Sequence, residues 1–537
     1  MLTSSLSTTL LSSNGHAPLW RGDLNALAFD ESGWRAHLRA LDQPCFIVSD
    51  GLRLGITHHP PTANGETALA LLAAAGSLSP AQLGSPQFRA AHGLKYAYCA
   101  GAMANGIASA ELVIALGKAG LLASFGAAGL TPDRIEAALD RIQTALPQGP
   151  YASNLIHSPN EEALERGAVE LYLRRGVTTV EASAFLALTP HVVRYRAAGL
   201  HLDARGEIEI RHKLIAKVSR REVAAQFLAP APLSLLQPLV EQGLISEQQA
   251  QLAQRVPMCD ALTAEADSGG HTDNRPLVTL LPAMLDLRTE LQAKHGYAQV
   301  VHIGAAGGIG APAAVLAAFM LGADYVVTGS INQSCVEAGA SAHTRSLLAQ
   351  AGQADVMMAP AADMFEMGVK VQVLKKGTLF PLRAQKLYEY YQNYDSLEAI
   401  PAAERAKLEG QVFRKPLETV WQETEAFFRS RDPEQLARAQ NNPKRKMALV
   451  FRWYLGLSSR WSNSGEPGRE MDYQIWCGPA MGAFNEWTQG TPLAAPENRR
   501  AADVAEQLLR GAAYLYRVQS LRSQGVTLPP VLAVYKP

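Results

Sequence analysis

The densest set of chemically capable side chains in this sequence is Glu265-Ala266-Asp267-Ser268-Gly269-Gly270-His271-Thr272-Asp273, an acid pair, two glycines and a histidine in one short stretch. A histidine that follows Gly269 and Gly270 can approach a flat ligand closely, and its pKa near neutrality lets it give or accept a proton. The plainer reading is a loop histidine that caps the next helix. Asp267, His271 and Asp273 could also ligate a metal, but no second histidine or cysteine cluster lies nearby, so no metal is expected. Two glycine-rich turns come later, Gly304-Ala305-Ala306-Gly307-Gly308-Ile309-Gly310 and Thr328-Gly329-Ser330-Ile331-Asn332. Turns of this kind, with Gly307, Gly308, Gly329 and Ser330 at their centres, can bring backbone N–H groups and a helix dipole against a phosphate; tight structural turns are the alternative. Their spacing fits neither a P-loop nor a dinucleotide fingerprint. Upstream, Gly101, Ala102 and Met103 form a small-residue platform over which a planar ring can lie. Asn154, Glu181 with Ser183, and Lys217 with Ser219 punctuate other apolar runs. Lys217 can stabilise negative charge that develops on a planar ring when it is reduced, or can be an ion-paired strand lysine. Cys335 has no base near it in sequence and reads as a buried structural thiol.

These groups need a scaffold that brings distant segments to one end, and the hydrophobic pattern supplies one. From about residue 95 short β-rich runs alternate with stretches of helical period. The strands are expected over 95–99, 121–125, 151–156, 178–185, 213–218, 261–265, 299–303 and 325–328. The helices are expected over 107–119, 132–145, 160–175, 191–198, 222–228, 277–294 and 313–321. Eight strand–helix units in roughly 250 residues match a (β/α)8 TIM barrel, with a doubly wound open sheet as the alternative. The glycine-rich and GGH stretches then fall just after the C-terminal ends of strands, and Asn154, Glu181 and Lys217 lie on strands. The expected division is an N-terminal extension over 1–85, a barrel over 86–376 with a helical insertion at about 229–256, and a helical appendage over 377–537. Within the extension, 45–57 reads as one alternating run followed by an Ala/Leu-rich helix, and the residues before Arg21 read as a frayed tail. Lys444-Arg445-Lys446 reads as a solvated helix start.

Composition sets the outer limits. The chain has 537 residues, 49 Lys and Arg against 49 Asp and Glu, 47% hydrophobic and 18% charged residues. A net charge of zero argues against nucleic acid or a polybasic membrane contact. The longest apolar stretches, 119–130 and 311–321, are shorter than the roughly 18 to 20 residues of a membrane span. No secretory signal is expected before Arg21. Five scattered cysteines without a CxxC pair suggest reduced thiols and a cytoplasmic location.

The segments GAMANGIAS, EADSGGHTD, GAAGGIG and GADYVVTGSINQ resemble the FMN-dependent nitronate monooxygenase-like barrel superfamily, which includes a bacterial flavin enoyl-acyl-carrier-protein reductase. Three longer stretches look like the trans-acting enoyl reductases of polyunsaturated fatty acid synthases and of polyketide synthases without integrated acyltransferases. They are LGSPQFRAAHGLKYAYCAGAMANGIASAELVIALGKAGLLASFGAAGL, APAADMFEMGVKVQVLKKGTLFPLRAQKLYEYY and CGPAMGAFNEWTQGTPLA.

The resemblance runs from about residue 40 to the C-terminus. It implies that His271 sits by a flavin, that Gly307, Gly308, Gly329 and Ser330 hold the FMN phosphate, and that Asn154, Ala102 and Met103 line the ring. Gly101, Glu181, Lys217, Gly269 and Gly270 join them at the same strand ends. The simple monooxygenases usually carry Thr where Ser330 stands, and they lack the helical appendage. The implied activity is NADPH- or NADH-driven, FMN-dependent reduction of an α,β-unsaturated acyl chain on an acyl carrier protein, with His271 and Lys217 as catalytic residues. A homodimer is compatible with this reading. A nitronate-oxidising flavin oxygenase and a flavin-free synthase scaffold are the competing functions. The Gly478–Asn485 segment is expected to wall an acyl tunnel through Met481 and Phe484, or else to seal helix contacts.

Overall fold

The computed structural model describes residues 18–63, 67–159 and 161–537; the expected N-terminal tail falls mostly outside them. In chain order an antiparallel sheet comes first, made of β1 (Leu19–Gly22), β2 (Cys45–Ser49), β3 (Leu54–Thr57) and β4 (Thr67–Ala75). The Ala/Leu-rich run expected as a helix is therefore β4. Its register against β1 and β2 puts Leu69 in a small core with Trp20 and Val48, and pairing on both edges overrides local helix propensity. Residues 45–57 are likewise two strands around a turn.

The following strands are β5 (Tyr98–Ala100), β6 (Leu122–Phe125), β7 (Ala152–Ile156), β8 (Thr179–Ser183), the outlying hairpin β9 (Leu200–Leu202) and β10 (Ile208–Ile210), β11 (Lys213–Val218), β12 (Ala261–Glu265), the two-residue β13 (Gly270–His271), β14 (His302–Ala306) and β15 (Tyr325–Thr328). Eight of them close a parallel barrel in the order β11-β12-β14-β15-β5-β6-β7-β8. Strands covered by helices outside and by side chains inside must be apolar on both faces, and β6 and β15 are buried at every position. The interior is plugged by tyrosines whose hydroxyls find partners. Tyr325 pairs with Thr263 at 2.8 Å and Tyr98 with Thr328 at 2.5 Å. The seventh strand sits three residues later than the sequence pattern places it, and the first begins three residues later and ends one residue later. In β14 the pattern fails because Gly304, Ala305 and Ala306 carry little strand propensity. Gly304 is required there, since a Cβ would stand 2.3 Å from the Tyr325 ring.

After the barrel, β16 (Val356–Pro360) and β17 (Lys370–Leu374) form a hairpin that the sequence pattern does not reveal, and β13 pairs with β17. This hairpin shares a second core with the helices that follow, built around Phe365, Phe413, Phe451 and Tyr454. Residues 229–256 hold two helices, Leu233–Glu241 and Glu247–Ala253. The last long helix, Ala501–Ser523, leaves the other C-terminal helices and packs on the barrel helix Pro312–Met320. Its buried Arg517 gathers the carbonyls of His37, Leu38, Ala40, Leu41, Gln43 and Gly76, which ties the C-terminus to the N-terminal sheet.

Candidate active site

The C-terminal barrel rim carries a buried charge cluster. Lys217 on β11 places Nζ 3.2 Å from Glu265 on β12 and 3.8 Å from Glu181 on β8. The lysine side chain is 17% exposed and the two carboxylates 13% and 6%. Burial alone would discharge such a lysine, but Glu265 and Glu181 outweigh it and raise its pKa. Burial raises the pKa of Glu181 as well, against the opposing pull of Lys217. Glu181 also accepts a hydrogen bond from the Ala102 N–H at 3.2 Å, so the cluster fixes the Gly101–Met103 platform. Asn154 on β7 donates to the Glu181 carbonyl at 3.1 Å and to Ser183 Oγ at 2.9 Å, joining the ends of β7 and β8. The next residue, Ala184, has φ +61°, a left-handed conformation that a non-glycine adopts only where its surroundings impose it.

His271 reaches the same space through β13. Its position is set by pairing with Val371 on β17 and by Gln372, whose amide donates to Asp267 and to the Ser268 carbonyl, both at 2.7 Å. Gly270, at φ +83°, makes the turn that permits this. The ring Nε2 lies 3.2 Å from Asp363 Oδ1, in the loop between the hairpin strands. Burial opposes the imidazolium, yet Asp363, helped by Glu265, outweighs it and raises the His271 pKa, while His271 holds Asp363 below the usual carboxylate range.

Ala102, Met103, Asn154, Lys217, Glu265 and His271 line one cavity of about 440 Å³. The helices Glu162–Arg175 (Ala168, Leu171), Leu417–Arg431 (Phe427, Phe428) and Pro443–Ser464 (Leu449, Trp453) give it an apolar stretch of wall, and the last two also bring Glu423, Arg431, Arg452 and Arg460 to it. Met481 and Phe484 are fully buried in the main core and do not line it, so the tunnel-wall expectation for 478–485 is corrected. Glycine contacts explain why. A Cβ on Gly310 would stand 2.0 Å from the Ala480 carbonyl oxygen, and one on Gly478 would stand 2.8 Å from Gly269 N. This segment lies directly on the barrel loops, and Met481 and Phe484 pack inward from it.

Gly307, Gly308, Gly329 and Ser330 do not line the cavity; they follow β14 and β15, the next strand ends around the rim from Gly269 and Gly270. A Cβ on Gly308 or on Gly329 meets nothing within 4 Å, so both leave room above the backbone, whereas Gly307 is hemmed in by the Ala266 backbone at 2.6 Å. Ser330 Oγ accepts from the Gly478 N–H at 3.0 Å. The open glycines end β14 and β15, next in the barrel to β5 and the Gly101–Met103 platform, so these residues and the buried cation could together hold a flavin. Among the described residues no cluster of His, Cys, Asp or Glu could hold a metal ion. Cys335 is fully buried, with its thiol pKa pushed up by burial. Lys444, Arg445 and Lys446 are half-buried rather than solvated. Arg445 is paired with Glu366 and Lys444 with Asp395, while Lys446 lies over the Trp421 ring.

Sequence reasoning alone does not single out Asp363 or Gln372, although both lie in one of the long stretches that carry the resemblance. Glu265 stands out there only as part of an acid pair. Nothing in their spacing shows that a hairpin folds back onto the GGH loop.

The fold and rim define a closed (β/α)8 barrel with its candidate site at the C-terminal face, and the comparisons narrow the class to an oxidoreductase. The chain belongs to the nitronate monooxygenase family, whose model matches residues 86–403. Residues 20–76 match the N-terminal domain of the fatty acid synthase subunit PfaD, and 394–473 match the inserted helical domain of acyl-carrier-protein S-malonyltransferase. The chain is 49% identical over 496 residues to a subunit of the polyunsaturated fatty acid synthase of Thraustochytrium sp., covering 91% of this chain and 33% of that protein. It is 46% identical over 442 residues to the polyketide biosynthesis protein PksE of Bacillus subtilis, covering 82% of this chain and 57% of that one. The chain thus spans between a third and somewhat over half of these two relatives. The enoyl reductase domain of MlnA, from the macrolactin cluster of Bacillus amyloliquefaciens, matches with a TM-score of 0.78 and 39% identity over 82% of this chain and 99% of that domain.

Proposed function

We propose that this protein is an FMN-dependent enoyl reductase, acting in trans, that reduces the α,β double bond of an acyl chain carried by an acyl carrier protein of a polyketide or fatty acid synthase, with NADPH or NADH as reductant. The observation that carries the reading is the composition of the cavity: a charged floor at the barrel rim and, beside the charged residues of the covering helices, an apolar stretch of wall that includes Leu171, Phe428, Leu449 and Trp453. A nitronate is small and polar and has no use for such a wall, whereas an acyl chain does. The kinship with synthase proteins and with an enoyl reductase domain supports the same reading.

When bound, FMN supplies two-electron transfer between the nicotinamide and the acyl chain. Lys217 keeps its charge between Glu265 and Glu181 and so holds a fixed cation at the rim, where negative charge develops on reduction. Glu181, through the Ala102 N–H, sets the height of the platform. His271 is aligned by Asp363 through Nε2, which leaves Nδ1 as the ring atom able to bind the thioester carbonyl or to pass a proton to the α-carbon. In this organisation the N-terminal sheet belongs to the extension proposed over 1–85, 86–376 holds the FMN-binding barrel and the hairpin of β16 and β17, and within 377–537 the helices Leu417–Arg431 and Pro443–Ser464 cover the cavity while Ala501–Ser523 packs on the barrel.

Mass spectrometry of an enoyl-carrier substrate incubated with the protein and NADPH tests the proposal, and a gain of two hydrogens is expected. Oxygen consumption with a nitroalkane but no enoyl turnover would instead establish a nitronate-oxidising enzyme. A folded, colourless protein would point to a scaffold.

A further inference from the structure

The outer end of the cavity gathers more positive charge than the protein balances. Phe427, on the helix Leu417–Arg431, is 38% exposed and lines the cavity. Two guanidinium groups lie over its ring, Arg431 at 5.3 Å and Arg460 at 5.8 Å from the centroid. Arg431 shares the carboxylate of Glu161 with Arg452, at 3.2 Å and 3.0 Å. Arg452 is only 7% exposed and also lines the cavity; its Nη1 is buried without a hydrogen-bond partner, 3.6 Å from Glu366. Among the described residues Arg460 and Arg134 have no carboxylate partner at all. Burial and the charges of Arg431 and Arg134 lower the Arg460 pKa, so both guanidinium groups act on Arg460. Arg431 and Arg460 held over one aromatic ring at the cavity mouth, beside a buried Arg452 whose Nη1 makes no hydrogen bond, form an arrangement that an anion would complete.

We propose that this mouth binds the phosphate group of an incoming substrate through Arg134, Arg431, Arg452 and Arg460, and that the phosphate is the phosphodiester of a carrier protein's phosphopantetheine arm. The source of the phosphate rests on the enoyl reductase reading; the phosphate site itself does not. An arm anchored by its phosphate at Arg460 would run past Phe427 along the apolar wall towards His271 and Lys217. The 2′-phosphate of NADPH is the other source of the same chemistry.

Titration calorimetry on the flavin-loaded full chain decides it, because binding is read and turnover is not needed. The parent should bind 4′-phosphopantetheine about tenfold or more tightly than pantetheine. In Arg134→Gln/Arg460→Gln, and to a smaller extent in Arg460→Gln alone, that preference should fall to within about twofold, with flavin content and circular dichroism unchanged. A parent that does not distinguish the two ligands, but whose preference for NADPH over NADH collapses in the double variant, keeps the phosphate site and moves its source to the nicotinamide. If neither preference changes in the variants, the proposal is wrong. Failure to reduce enoyl thioesters would sink the functional reading and leave this result standing.

Discussion

Replacing Lys217 with Met removes one cation from between two carboxylates while nearly conserving volume, so it isolates the electrostatics of the cavity floor. Nζ stands 3.2 Å from Glu265 and 3.8 Å from Glu181. At an effective dielectric constant of about 20 these separations correspond to about 5 and about 4 kcal/mol of attraction. Most of that offsets the desolvation of three groups that are each less than a fifth exposed. Removing the cation alone leaves two buried carboxylates facing each other, and a net loss of about 3 to 5 kcal/mol of stability is expected at neutral pH. The pH dependence has a definite sign. Burial already raises the pKa of Glu181, and loss of Lys217 raises it further. A carboxyl group whose folded pKa lies above its unfolded value favours folding at low pH, and that advantage is lost as the pH climbs past the unfolded value of about 4. The deficit of Lys217→Met should therefore be small at about pH 4 to 5 and full by about pH 8. Chemical denaturation followed by circular dichroism at the two ends of that window reads it directly. The double variant Lys217→Met/Glu265→Gln should recover at least half of the loss, because only one buried carboxylate then remains. A deficit below about 1 kcal/mol, or one that is equal across the pH window, would refute the idea that these three side chains form a mutually dependent buried cluster.

Gly329→Glu should give a folded protein that purifies without flavin, since Gly329 has open space above it and no left-handed backbone to strain; retained stoichiometric FMN on denaturing release would remove the phosphate assignment. His271→Ala should keep the flavin and lose about 10² to 10⁴-fold in enoyl turnover, and turnover within about threefold of the parent would make the residue structural. Asp363 raises the His271 pKa, so Asp363→Asn should move the alkaline limb of the kcat/KM profile to lower pH; an unmoved limb would separate His271 from the proton transfer. Ala168→Trp, which fills the apolar wall, should abolish long-chain substrates before short ones with flavin still bound, and equal loss at all lengths would place the acyl chain elsewhere.

Much of this organisation is legible in the residues themselves. Apolar runs broken by helical period specify a barrel because strands covered on both faces must be apolar throughout. A barrel in turn sends Asn154, Glu181, Lys217 and the GGH loop to one rim, whatever their distance in sequence. The glycine turns follow from the same logic. What the linear pattern cannot contain is decided by long-range pairing. Thr67–Ala75 has the composition of a helix and becomes a strand because β1 and β2 flank it. Met481 and Phe484 look suited to a tunnel and instead fill the core, because Gly310 and Gly478 bring their segment into backbone contact with the barrel loops. Asp363 meets His271 only because the hairpin of β16 and β17 adds β13 to its edge, an encounter between residues 92 positions apart. Side-chain type fixes which chemistry each group can perform. Which groups meet depends on hydrogen bonds and packing between segments remote in the chain, and only the folded structure supplies them.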